Sequence, residues 1–167
     1  MKQNKKGFTL IELLAVIVIL AIIALIATPI VLNMINQARK SAARSSSLGF
    51  VDSIEYYAGF NQAQDESIQL GYDIPVPGAG TCKKASKDAA WANGDDITAK
   101  VTIKVEGADT EVDACKAFMD AVGTKSKGKG PDKAEVKLDA AGKVQTGSKF
   151  TYGSFECTYD GNDVSFK

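Results

Sequence analysis

The 25 residues from Phe8 to Leu32 contain almost no polar side chain, and one of the few is a carboxylate, Glu12. A helix of that length reaches about 37 Å, enough to cross the hydrocarbon of a bilayer. Such a segment confines the chain to few folds: its apolar surface must go into lipid, into a helix bundle, or be cut away. Lys2, Lys5 and Lys6 precede it and would hold that end on the cytoplasmic side of a membrane. A carboxylate inside an apolar span calls for a partner or a purpose, so Glu12 is the first candidate functional residue.

Three readings of this N-terminus compete. A secretory signal has a basic start, a short apolar core and a small-residue cleavage site after it. Ala24 to Ala27 loosely supply such a site, but Glu12 falls near the start of the required apolar core. A plain membrane anchor is the second. The third keeps the anchor and cuts the chain before it, between Gly7 and Phe8. That cut would create a positive α-amino group on Phe8, one helical turn from Glu12, and so supply the carboxylate with an opposite charge. The pair could form within one chain, or between Phe8 of one subunit and Glu12 of its neighbour.

Lys5-Lys6-Gly7-Phe8-Thr9-Leu10-Ile11-Glu12-Leu13-Leu14 resembles the leader junction of the type IV pilin family, a class III leader, and Pro29 falls where many such pilins carry a proline. The resemblance is specific over residues 5 to about 30, and beyond residue 60 it rests on architecture alone. It implies a prepilin divided into a leader (1–7), a membrane or filament-core helix (8–30), the amphipathic half of that helix (31–60) and a globular head (61–167). It further implies cleavage after Gly7 by a prepilin peptidase, N-methylation of Phe8, and assembly roles for Glu12 and Pro29. The expected partners are other copies of the chain in a homopolymer, an inner-membrane assembly platform and its ATPase. The chain would be a single-pass cytoplasmic membrane protein first and part of an extracellular pilus afterwards. A pseudopilin of a secretion or competence system shares the same N-terminal pattern, and an anchored module that never polymerises is a third alternative. The mature length of about 160 residues favours a true pilin among single-domain sizes.

Helical spacing continues past the apolar segment in Ile30, Met34, Ala38, Ala42, Ser47, Val51, Ile54 and Ala58, with Gly59 as a stop. A helix from Phe8 to Ala58 is roughly 75 Å long. Pro29 has no N–H to offer the Leu25 carbonyl, which predicts a kink or a weak point. Asn61 to Gly94, rich in glycine and proline, reads as a long loop. Ile97 to Glu106 alternates as a strand, Thr110 to Val122 reads as a short helix, and two hairpins follow around Ala141-Gly142 and Asp160-Gly161. The expected fold is α+β, with the long helix packed on an antiparallel sheet of about four strands.

Composition narrows the chemistry. There is no histidine, which removes Ser-His-Asp and Cys-His catalysis, imidazole metal ligation and histidine pH switching. No catalytic residue, cofactor or metal site is expected. Basic and acidic side chains balance at 20 each, and removing the leader with its three lysines leaves 17 against 20, which disfavours capture of DNA by bulk charge. Lys125, Lys127 and Lys129 lie in a glycine-rich loop that matches no phosphate-binding pattern. It reads as a solvated loop, with contact to DNA or a surface as the alternative. Asp160-Gly161-Asn162-Asp163 has calcium-like chemistry without an EF-hand's spacing, and a hairpin turn explains it. Of the three cysteines, Cys115 and Cys157 fall on apolar faces and are the favoured disulfide, with Cys82 left over; the other two pairings stay open.

Overall fold

The computed structural model describes residues 8–62, 74, 76–105, 108–125 and 130–167. The residues group into two compact units, one up to Ser41 and one from Ala42 to Lys167. Helix α1, Leu10–Gln62, contributes to both. It runs past Gly59, the expected stop, and ends three residues later. Mid-helix glycine costs under about 1 kcal/mol, and the stacked rings of Tyr56 and Phe60, 6.3 Å apart, lie on either side of it.

In the first unit α1 has no interior. Its most apolar 18-residue window has a mean hydropathy of 3.2 and is 0% buried, so the helix is long and apolar enough to cross a membrane. Every leucine, isoleucine, valine and methionine from Leu10 to Ile35 is at least 41% exposed.

The second unit is built on the other half of α1. Ala43, Ser47, Phe50, Val51, Ile54, Tyr57 and Ala58 are buried, at steps of three and four that place them on one face. The expected stripe is therefore in phase from Ser47 onward, but Ala42 is exposed and Ala43 takes its place.

That face covers a six-stranded antiparallel sheet. Its strands are β1 (Gly80–Lys84), β2 (Trp91–Asn93), β5 (Lys133–Leu138), β6 (Lys149–Tyr152), β7 (Phe155–Tyr159) and β8 (Val164–Phe166), in the order β2-β1-β5-β6-β7-β8. A separate two-stranded hairpin pairs β3 (Lys100–Val105) with β4 (Ala108–Asp113), and α2 (Ala114–Lys125) follows it. The sheet is thus larger than the four strands expected. Two of its strands, β1 and β2, lie inside the stretch expected to be a loop, of which Gly71 and Pro75 fall outside the described residues.

Thr110 to Asp113 belong to β4, not to the expected helix. Val101 opposite Val112 is a β-branched cross-strand pair that favours the pleated state. The helix begins at Ala114 and keeps Cys115, Phe118, Met119 and Val122 as its buried face.

Strand alternation divides the sheet. Cys82, Val136, Leu138, Phe150, Cys157, Tyr159 and Val164 are buried, while Lys83, Glu135, Lys149, Thr158 and Ser165 lie level with one another across the strands on the other face. Between sheet and helices Phe50 stacks on Trp91 at 5.9 Å and meets Phe150 edge-on at 6.0 Å. Tyr57 meets Phe118 edge-on at 5.4 Å. Aromatic pairs at these distances add about 0.5–1.5 kcal/mol each beyond burial. The turn after β5 needs Gly142, whose φ is +78°: a Cβ there would sit 2.6 Å from the Cβ of Ala58.

Candidate processing and assembly site

The N-terminal candidates sit at the first turn of α1. Phe8 precedes the helix and is 85% exposed. Thr9 is the residue before the first helical position and Glu12 is the third within it. The Thr9 N–H and hydroxyl both donate to Glu12 Oε2, at 2.8 and 2.7 Å. The Glu12 N–H donates back to Thr9 Oγ1 at 3.4 Å, and the Leu13 N–H reaches the Thr9 carbonyl at 3.3 Å.

This is a capping box, in which a Thr and a Glu three residues apart satisfy each other's free backbone N–H groups. It is the feature that sequence reasoning passes over, although Thr-x-x-Glu ahead of an apolar run is its signal. Glu12 therefore has a use in the uncut chain: it fixes where the helix starts. Both bonds fall on Oε2, and Oε1 makes no hydrogen bond among the described residues. Gly7 and the leader lysines lie outside the described residues.

Pro29 is inside α1, which continues through it. One residue before it, the Thr28 hydroxyl donates to the Ala24 carbonyl at 2.6 Å, an i−4 bond of the kind that locally weakens or bends a helix. The backbone carbonyl that Pro29 deprives of a donor is that of Leu25.

The disulfide expectation is corrected. Cys82 bonds Cys115, with a Cα–Cα distance of 5.5 Å, and Cys157 is a buried free thiol. Register gives the reason. Cys82 on β1 and Cys157 on β7 are separated by β5 and β6, three strand spacings or about 14 Å. Cys115, at the start of α2, lies on the β1–β2 side, where its N–H donates to Asn93 Oδ1 at 3.0 Å. Asn93 is itself the register partner of Cys82. Burial alone does not distinguish the three pairings, because all three cysteines are buried.

The other candidates resolve into structural roles. Asp160 Oδ1 accepts the N–H groups of Asn162 and Asp163, at 3.0 and 2.7 Å, and those bonds hold its carboxyl below the ordinary range. Asp163 forms a two-pronged ion pair with Arg44 of α1. Hydrogen bonding to Arg44, then to the Val164 N–H, likewise holds the Asp163 carboxyl low. The acidic turn is thus a strap between β8 and α1. In the lysine loop, Ser126 to Lys129 lie outside the described residues; a Cβ added at Gly130 would stand 3.8 Å from the Phe50 ring.

Residues 2–28 match the family model described as the prokaryotic N-terminal methylation motif, the class III leader of type IV pilins. The match covers the leader and the apolar start of α1, and it supports a prepilin of the pilin-like or pseudopilin kind. It implies processing by a prepilin peptidase and points to a structural protein rather than an enzyme. No curated protein and no solved structure matches the chain.

Proposed function

We propose that this chain is the structural subunit of a type IV pilus, anchored by α1 until its leader is removed and then polymerised into a surface filament. The observation that carries the reading is the join between the methylation motif at residues 2–28 and a helix whose apolar window is wholly unburied. That surface needs a lipid environment before assembly and other helices after it, since water satisfies neither.

Hydrolysis of the Gly7–Phe8 peptide bond gives Gly7 a carboxylate and Phe8 an α-amine. Methylation of that amine leaves its positive charge in place. Glu12 keeps its capping bonds through Oε2 and offers Oε1 to the amine of an adjacent subunit, so that two charges enter the apolar filament core as a pair. Before cleavage there is no amine on Phe8 and no such pair, which makes leader removal the step that licenses assembly. Pro29 supplies a place where α1 can extend during that step. The energy comes from a separate ATPase acting through a membrane platform.

Intact mass of the mature chain tests the processing: it begins at Phe8 with one N-methyl group, whereas a start near Thr28 refutes the reading. Electron microscopy tests the product. Cells carrying this chain display fibres that vanish on its deletion, and Glu12→Ala leaves processed subunits in the membrane without fibres. A short envelope-bound filament in place of surface fibres would assign the chain to the pseudopilins instead. Unaltered fibres from Glu12→Ala would remove the charge pair from the mechanism.

A further inference from the structure

Asn93-Gly94 is the pair of residues most prone to backbone-assisted deamidation, because a following glycine leaves its nitrogen unshielded by any side chain. Three hydrogen bonds block that chemistry. The Asn93 side-chain Nδ2 donates to the Ala99 carbonyl at 2.8 Å, and its Oδ1 accepts the Cys115 N–H at 3.0 Å. The nucleophile, the Gly94 nitrogen, is buried and donates to the Thr81 carbonyl at 2.6 Å. The approach there is so close that a Cβ on Gly94 would stand 2.6 Å from the Thr81 oxygen.

Two of the three bonds adjoin the Cys82–Cys115 bridge. Cys115 provides one of them directly. Thr81 precedes Cys82 in β1, and Cys82 stands opposite Asn93 in the β1–β2 register. Thr81 and Cys115 also meet, the Cys115 sulfur lying 3.9 Å from the Thr81 carbonyl oxygen. The bridge thus ties the start of α2 to β1 across the residue it protects. β2 is a three-residue edge strand with β1 as its one partner in the sheet, so little else in the sheet holds it.

We propose that Asn93 is a latent modification site, held closed by the Cys82–Cys115 disulfide and opened by its reduction. A dithiol reductant opens the bridge to two thiols and is itself oxidised to a disulfide. The Asn93 side chain is then free to turn back on the Gly94 nitrogen, which loses its proton and attacks Cγ. The N–Cγ bond forms, the Cγ–Nδ2 bond breaks, and ammonia leaves. Water then opens the resulting succinimide at either carbonyl, giving aspartate or isoaspartate. The Nδ2 donor to Ala99 is lost for good, so a reversible loss of the bridge becomes an irreversible change in the chain.

The test uses detergent-solubilised full chain incubated in mildly alkaline buffer with and without a dithiol reductant. The tryptic peptide Asp88–Lys100 contains Asn93 as its single amide side chain, and mass spectrometry follows its conversion. Conversion at least tenfold faster in the reduced protein, and equally fast in Cys82→Ala/Cys115→Ala without reductant, is expected. Gly142→Ala, which loosens the head elsewhere while keeping the bridge, should convert as slowly as the wild type. Equal rates with and without reductant would overturn the proposal. So would fast conversion in Gly142→Ala, because overall stability rather than the bridge would then be the guard.

Discussion

Removing the Cys82–Cys115 bridge should cost the head a large part of its stability, and the amount follows from the length of chain it closes. The bridge joins residues 33 apart, and the loop-closure relation for that span gives about 3.7 kcal/mol at 25 °C. Against a typical domain stability of about 5–15 kcal/mol, that is a substantial fraction. Alanine is the replacement of choice, since both sulfurs are buried at 0% exposure and a serine hydroxyl there would add its own desolvation cost. The assay is urea unfolding of detergent-solubilised chain, followed by the fluorescence of Trp91. That side chain is the sole tryptophan and is stacked on Phe50 in the core, so its emission reports the head alone. With a urea slope of about 1.5–2.5 kcal/mol/M, the midpoint of Cys82→Ala/Cys115→Ala falls by roughly 1.5–2.5 M. Cys157→Ala removes a buried thiol but no cross-link, and loses about 1 kcal/mol by truncation alone. The reasoning fails if the double variant unfolds within about 1 kcal/mol of wild type, or if Cys157→Ala matches it.

Three further outcomes are expected. Gly142→Ala should destabilise the head by about 1–3 kcal/mol through overpacking, because its φ of +78° disfavours a side chain and the new Cβ meets Ala58; Trp91 fluorescence reads this, and an unchanged midpoint would contradict the packing. Acid should loosen the β8 strap. The Arg44 guanidinium holds Asp163 below its ordinary value of 3.8, so the pair's contribution is complete above that value and lost as pH falls through the lower, folded one. Asp163→Asn should therefore abolish that part of the acid limb in a pH titration of unfolding and leave the neutral region flat, and an unchanged acid limb would rule the strap out. Burial pushes the Cys157 thiol up, so a thiolate-selective reagent should find no thiol in the native head, one after denaturation, and three after reduction as well; a reactive native thiol would contradict its burial.

The parts of the fold legible in the sequence are those with long periodic runs. The stripe Ser47, Val51, Ile54, Ala58 marks the helix face that packs, and the Asp160-Gly161 turn marks the β7–β8 hairpin, with Gly161 at φ +105°. β1 and β2 are not legible, since Gly80-Thr81-Cys82-Lys83-Lys84 and Trp91-Ala92-Asn93 are too short to show alternation. They are strands because β5 offers Gly80–Lys84 a full ladder, a long-range fact that local propensity does not carry. Thr110-Glu111-Val112-Asp113 fits a helical face or a strand equally well by period, and its partner Lys100–Ile103 decides. At the site, Glu12 stands out as a carboxylate in an apolar run, while Thr9 looks ordinary until the three bonds between them are seen. The cysteine pairing depends on the order of strands in space and had no local signature at all.

The burial of α1 from Ala43 to Ala58 has a mechanical consequence. A pull along the axis of this helix does not load one terminal contact, because Phe50, Val51, Ile54 and Tyr57 are set into the core side by side. The contacts are strained in shear, many at once, rather than peeled in turn. The Arg44–Asp163 pair stands at the start of that segment, where tension would first arrive, and joins it to the β8 edge of the sheet, four strands away from the disulfide-bearing β1. A head fastened in this way meets such a pull with many contacts sharing the load.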